Sequence, residues 1–303
     1  MKMKNYFIKI GIAIVMMFAL TGCASNNVKT DDGKLKIYTS FYTMYDFTSK
    51  IAGDKADVVN LVSDGTEPHE WEPSTSDMIN LEQADMLIYN GAGMEHWVDK
   101  ITESLENDLV LVEASDGITL IDDELSQGNS DPHVWLDVEN AKIEMENIKN
   151  ALVKADEANA TYYEENYEKY AQLSDELNTE MTTRIEALDN KNIIVSHEAF
   201  SYLCKAYGLT QTAIGDLEAG AEPDAKRLAE IVLFAKENQV KTIFFEELVS
   251  PKMANIIADE IGADIAVLNP VEGLTQKQVD AGEDYFSIMR TNLDTLEQTM
   301  NNK

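Results

Sequence analysis

Between Glu157 and Leu188 the chain contains no Gly and no Pro. Tyr163, Tyr167, Tyr170, Leu173, Leu177, Met181, Ile185 and Leu188 recur there at steps of three and four. That spacing draws one apolar stripe along a helix of some thirty residues, roughly 45 Å long at 1.5 Å per residue. A coiled coil would need flanking heptads, and the stripe has none. A rod of this length resists bending, so relative motion of the two segments it joins is expected to be small.

Both flanks alternate short β-rich runs with helical stretches. Before the rod, strands are predicted at Leu35–Thr39, Asp57–Val62, Asp85–Tyr89 and Leu109–Val112, with helices at Met44–Ala52, Ser74–Ala84, Glu95–Ser104 and Val138–Lys154. After it, strands fall at Asn192–Ser196, Lys241–Glu246 and Asp264–Leu268, with helices at Ala199–Ala206, Ala225–Asn238 and Pro251–Ile261. Alternation of this kind argues for a mainly parallel α/β sheet in each half. The expected fold is therefore two α/β lobes, 35–155 and 190–303, joined by a rigid linking helix at 156–189.

The amino terminus has a different character. Lys2, Lys4 and Lys9 precede an apolar run, Ile10–Leu20, too short to span a bilayer. Residues 1–22 thus read as an export signal ending in Leu20-Thr21-Gly22-Cys23, which resembles the lipobox of bacterial lipoproteins. On that reading Cys23 is the lipid attachment site and 23–34 a short polar tether. The expected location is extracytoplasmic, lipid-anchored to the cell membrane. Cys204 then has no partner, which leaves no disulfide framework or thiolate metal cluster. Its apolar surroundings make it a small core residue.

A net charge of −31, from 24 Lys+Arg and 55 Asp+Glu, repels phosphate backbones and disfavours nucleic acid as a partner. Cations are the ligands such a field favours. Three of the four histidines sit in suggestive contexts: His69 in Glu67-Pro-His-Glu-Trp-Glu-Pro-Ser74, directly after a predicted strand, His133 in Asp131-Pro-His-Val-Trp-Leu-Asp137, and His197 in Val195-Ser-His-Glu-Ala-Phe200, at the carboxyl end of another. Loops beyond the carboxyl ends of parallel strands are where α/β sheets bind ligands. Neutral imidazole suits zinc and other borderline divalent ions. Taken singly, each histidine reads equally as a partly buried, hydrogen-bonded loop residue. His96 has no partner motif and reads as surface. Metalloprotease, serine-hydrolase, phosphate-loop and calcium-loop signatures do not occur. An enzyme with three imidazoles on zinc and an open fourth position stays as an alternative.

These blocks, with the long helix introduced by Asp156-Glu-Ala-Asn-Ala-Thr-Tyr162, resemble the zinc/manganese-type solute-binding lipoproteins of bacterial ABC metal importers, and more closely the zinc type. The resemblance covers nearly the whole mature chain. It implies a monomeric receptor, not an enzyme, that binds zinc in the interlobe cleft and hands it to an ABC permease subunit, with a manganese receptor as the alternative. It places the metal ligands on His69, His133 and His197. The fourth is an acidic residue in Leu268-Asn-Pro-Val-Glu-Gly-Leu274, matched by Glu272, with Glu246 and Glu247 as competitors. Manganese-type members tend to carry a carboxylate where His197 stands, which favours zinc. A long His-rich loop common in zinc-type members is absent, since Glu113 to Ser130 holds acids but no His. Asp137 is expected to orient His133 through its second ring nitrogen. Three imidazoles and one carboxylate would leave a zinc site with a charge of +1. Affinity is expected to fall as pH drops through about 6.5, the ordinary imidazole value.

Overall fold

The computed structural model describes residues 33–122, 130–215 and 225–301. The export signal, Cys23 and nearly all of the tether lie outside the described residues, as does part of the acidic segment after Glu113.

Each half builds one four-stranded parallel sheet. The first comprises β1 (Leu35–Thr39), β2 (Ala56–Asn60), β3 (Met86–Tyr89) and β4 (Val110–Glu113), in the order β2-β1-β3-β4. The second comprises β5 (Asn192–Val195), β6 (Thr210–Ala213), β7 (Thr242–Phe245) and β8 (Asp264–Val267), in the order β6-β5-β7-β8. Central strands such as Asn-Ile-Ile-Val and Thr-Ile-Phe-Phe are β-branched, aromatic and covered on both faces, as parallel strands are. In both sheets the strand order reverses beside the first strand, which opens a crevice at the carboxyl ends there.

Helices α1 (Tyr42–Ala52), α2 (Thr75–Leu81) and α3 (Val98–Thr102) alternate with the first strands, and α4 (Val138–Ala155) closes that lobe. The linking rod is a 3-10 turn, Glu157–Asn159, followed by α5 (Ala160–Glu186), 27 residues or about 40 Å. Its expected stripe faces the core: Tyr163, Leu177, Met181 and Ile185 are buried, and Tyr167, Tyr170 and Leu173 pack against the same cluster. The second lobe adds α6 (Ser201–Tyr207), α7 (Ala225–Glu237), α8 (Lys252–Ile261), α9 (Gln276–Ala281) and α10 (Tyr285–Met300).

Three elements lie beyond those predicted: β6, α9 and α10. β6 reads Thr-Gln-Thr-Ala, an edge strand with little apolar content. The signals for the two helices are local. Thr275 and Gln278 form a reciprocal capping box ahead of α9, and Asp284 and Ser287 form another ahead of α10. Tyr285, Ile288, Met289, Asn292, Leu293, Leu296 and Met300 then run along one buried face.

One large apolar cluster lies between the two sheets and draws on α1, α4, α5, α6 and α10, reaching from Ile37 to Phe244, with Cys204 inside it. Smaller clusters fill the far faces, around Leu81, Leu87 and Trp97 in one lobe and Ile231, Ile243 and Ile257 in the other. Residues Leu35–Lys303 accordingly form one compact unit. Among the described residues no helix is long and apolar enough to cross a membrane.

Candidate metal centre

His69 lies on the loop after β2. The Glu67 carboxylate accepts the His69 backbone N–H at 2.9 Å, and Trp71 closes a turn back onto Pro68 at 3.2 Å. Trp71 then packs edge-to-face on Trp97 at 5.3 Å, which pins the loop to the first lobe.

His133 precedes a 3-10 turn, Val134–Leu136, in the loop after β4. Asp131 Oδ1 accepts both its backbone N–H at 2.9 Å and its Nδ1–H at 2.8 Å. Asp131 is therefore the carboxylate that orients this imidazole, not Asp137. The 3-10 turn carries Asp137 away to the start of α4, where it accepts the Glu139 N–H at 3.0 Å as the helix cap. Two residues is the spacing at which an aspartate reaches both the main chain and the ring of one histidine, and that is the signal in Asp131-Pro-His133.

His197 follows β5. Its Nδ1 lies 2.5 Å from Glu246 Oε1, at the end of β7, and that oxygen also accepts the Ser196 hydroxyl at 2.6 Å. Glu246 thus supports His197, and Glu247 accepts from Asn269 and Gln278. The Glu272 turn follows β8, with Val271 at φ +63°.

Four donor atoms converge. His133 Nε2 lies 3.2 Å from His69 Nε2, 3.3 Å from His197 Nε2 and 2.9 Å from Glu272 Oε1. Glu272 Oε1 is also 3.4 Å from His69 Nε2 and 3.7 Å from His197 Nε2. Tetrahedral zinc with bonds of about 2.0–2.1 Å separates its ligand atoms by about 3.3 Å. The donor set has the size, the chemistry and the geometry of one small borderline divalent ion. His133, His197 and Glu272 are buried, and His69 nearly so. His96 is outside the group, half exposed beside Glu72 at 3.7 Å.

The electrostatics follow from this crowding. Burial opposes charge on His133, but Asp131 and Glu272 outweigh it and push the imidazole up to about 9. His197 is likewise raised well above its ordinary value, as Glu246 and Glu272 overcome burial. Burial works to raise Glu272, yet the charge of His69 and hydrogen bonds from all three imidazoles hold it well below the usual carboxylate range. With Nδ1 of His133 and His197 directed to carboxylates, each Nε2 is the atom left for a cation. The space bordering Glu272, Glu67, Glu246 and Glu247 is about 10 Å³, too small for an organic solute. The larger grooves, about 740 Å³ beside β4 and about 760 Å³ between α7 and α8, are lined by none of these four residues.

Fold and site together define a two-lobed, helix-linked α/β protein whose interlobe donors can hold a single divalent cation. The chain belongs to the family described as zinc-uptake complex component A, periplasmic, which it matches over residues 37–299. It is 39% identical over 303 residues to the high-affinity zinc uptake system protein ZnuA of Bacillus subtilis (strain 168), covering 95% of each chain. It is 36% identical over 304 residues to the zinc-binding lipoprotein AdcA of Streptococcus pneumoniae (strain ATCC BAA-255 / R6); that match takes in 96% of this chain and 61% of the longer relative. Among solved structures, the Zn(II)-bound ZnuA-like domain of Streptococcus pneumoniae AdcA aligns with a TM-score of 0.79 at 37% identity, over 89% of this chain and all of that domain.

Proposed function

We propose that this chain is an extracytoplasmic zinc receptor that holds one Zn2+ on His69, His133, His197 and Glu272 and delivers it to an ABC permease. The observation that carries this reading is the spacing of the four donor atoms, 2.9–3.7 Å across five of the six edges of a tetrahedron. The zinc-related names of its relatives support the same choice of ion. Three nitrogen donors favour zinc over manganese, which prefers harder oxygen ligands. Glu272 in the fourth position argues against a hydrolase, because an activated water would need that position. The receptor acts as a monomer, with lobes at 35–155 and 190–303 around the linking helix, and is tethered through lipid on Cys23 after removal of residues 1–22.

Mass spectrometry of the native mature protein should find one zinc per chain, and X-ray absorption should find three nitrogens and one oxygen in the shell. A shell of three nitrogens and a water, with Glu272 remote, would sink the receptor reading and favour the hydrolase. The mature protein should partition into detergent, and Cys23→Ala should either release it to the medium or leave residues 1–22 uncleaved. A wild-type protein that is water-soluble with an unmodified amino terminus would remove the anchor.

A further inference from the structure

The turn carrying Glu272 leaves the second sheet after β8, yet it is fastened largely to the first lobe. Trp135 Nε1, in the 3-10 turn beside His133, donates to the Pro270 carbonyl at 2.6 Å. The Thr43 hydroxyl on α1 donates to the Val271 carbonyl at 2.5 Å, and the Gly65 N–H to the Leu274 carbonyl at 2.9 Å. The segment that follows touches both bodies: Gln278 on α9 donates to Glu247 of the second lobe at 2.5 Å, and several ties run to the first. Tyr42 donates to the Glu283 carbonyl at 3.3 Å, Lys50 on α1 bridges Asp46 and Asp284, and the Tyr285 hydroxyl returns to the Trp135 carbonyl at 2.7 Å. Val271 is held at φ +63°, a conformation that a β-branched residue adopts only where its surroundings impose it. Asn269 remains linked to the second lobe through Glu247 at 3.1 Å, and its Oδ1 accepts the Val271 N–H at 2.7 Å, so the change of allegiance falls within Asn269–Val271. His197 belongs to the other body: it follows β5, and its support Glu246, which also accepts the Ser196 hydroxyl, directly follows β7 of the second sheet.

We propose that Trp135 and Thr43 are positioning residues that hold Glu272 on the first lobe, so that His69, His133 and Glu272 form one rigid half-site and His197 is the ligand that departs when metal is released. This rests on the reading of the cluster as a metal-capture site. A small shift of the second sheet would withdraw one imidazole and leave a weaker three-donor site open on that side. The linking helix need not bend far for this, because a ligand atom displaced by about 1 Å is already outside bonding distance.

The test is the rate of Zn2+ release to a chelator, measured by stopped flow on the full mature protein. Thr43→Val is close to isosteric and removes the donor alone; Trp135→Phe is its companion. Each should speed release about tenfold, the lower end of what is lost when the support of a ligand is removed. The acceleration should persist in a His197→Ala background and vanish in a Glu272→Gln background, since a residue acting through Glu272 has no effect once that ligand is disabled. A merely structural role would give the same acceleration in both backgrounds. Equal acceleration in the Glu272→Gln background, or none in the wild type, overturns the proposal. Crystals of zinc-loaded His197→Ala should also keep His69, His133 and Glu272 at their present spacing; a Glu272 turn that moves off with the second sheet overturns it as well. If wild-type protein fails to bind zinc one to one, the functional reading is what fails.

Discussion

Two of the three imidazoles are directed to carboxylates through Nδ1, and this sets how the cluster handles protons. His133 is raised to about 9 and His197 well above its ordinary value, so at pH 7.5 the metal-free cluster carries protons that a cation must displace. Zinc binding at pH 7.5 should therefore release at least one proton, seen as a calorimetric heat that changes between buffers of different ionisation enthalpy. Affinity should keep rising from pH 6 to about 9, a window higher than the 6.5 expected from unperturbed histidine. Heats independent of buffer would contradict the pairing. The same shift acts on stability. A raised His133 contributes stability that is fully present below about 6.5, its unfolded value, and lost as pH rises through about 9. The metal-free protein should thus melt at lower temperature as pH goes from 6.5 to 9.5, while the zinc-loaded protein, already deprotonated there, should change far less.

The two aspartates flanking His133 give a sharper test. Asp131→Asn removes the charge that orients His133 and should weaken zinc about 10–100-fold. Asp137→Ala removes a helix cap and should cost about 1 kcal/mol of stability with little effect on zinc. Zinc titration and denaturant unfolding of the two variants should separate along these lines; the reverse pattern would restore Asp137 as the orienting group.

At the scale of elements, the long helix and α10 brace the interlobe core. Leu177 is fully buried midway along the linking helix, so Leu177→Ala should destabilise by about 2–5 kcal/mol in denaturant melts. An exposed neighbour such as Glu176, changed to Ala, should stay within about 0.5 kcal/mol. α10 reaches both halves. Its amino end is tied to α1 through Asp284 and Lys50, and Arg184 of the linking helix pairs with Asp294 and Glu297 farther along. Its Asn292 side chain meets both the N–H and the C=O of Asn269, just ahead of the Glu272 turn. The parts missed in the sequence are of two kinds. β6 is a polar edge strand without a periodic signature, whereas α10 carries a regular buried stripe and a capping box that local reading can find.

For the whole molecule, one apolar cluster spans both sheets, so the lobes should unfold together. Calorimetry should give a single transition, and zinc should move it upward. At free zinc a thousandfold above Kd the gain is about 4 kcal/mol. Each kcal/mol shifts the midpoint of a chain of this size by roughly 2–4 °C, so a rise of about 10 °C is expected, reversed by chelator. Two separated transitions would mean that the lobes are energetically independent.

The parallel-sheet halves and the linking helix are legible in the residues alone, because periodicity and the lack of chain breakers are local properties. The sequence also singled out His69 and His197, since a histidine following a predicted strand marks the ligand-binding end of a parallel sheet, and His133 by its Asp-Pro-His-x-Trp block. Glu272 entered through family resemblance and not through spacing. The tertiary structure alone decided which carboxylate meets which imidazole. Asp131 and Asp137 are both close to His133 in the chain, and only a 3-10 turn sends one to the ring and the other to a helix end. Glu246 lies 49 residues from His197 and reaches it because β5 and β7 are neighbours in the sheet. The attachment of the Glu272 turn to Trp135 and Thr43 spans 135 and 228 residues, distances over which a chain carries no local record of its contacts.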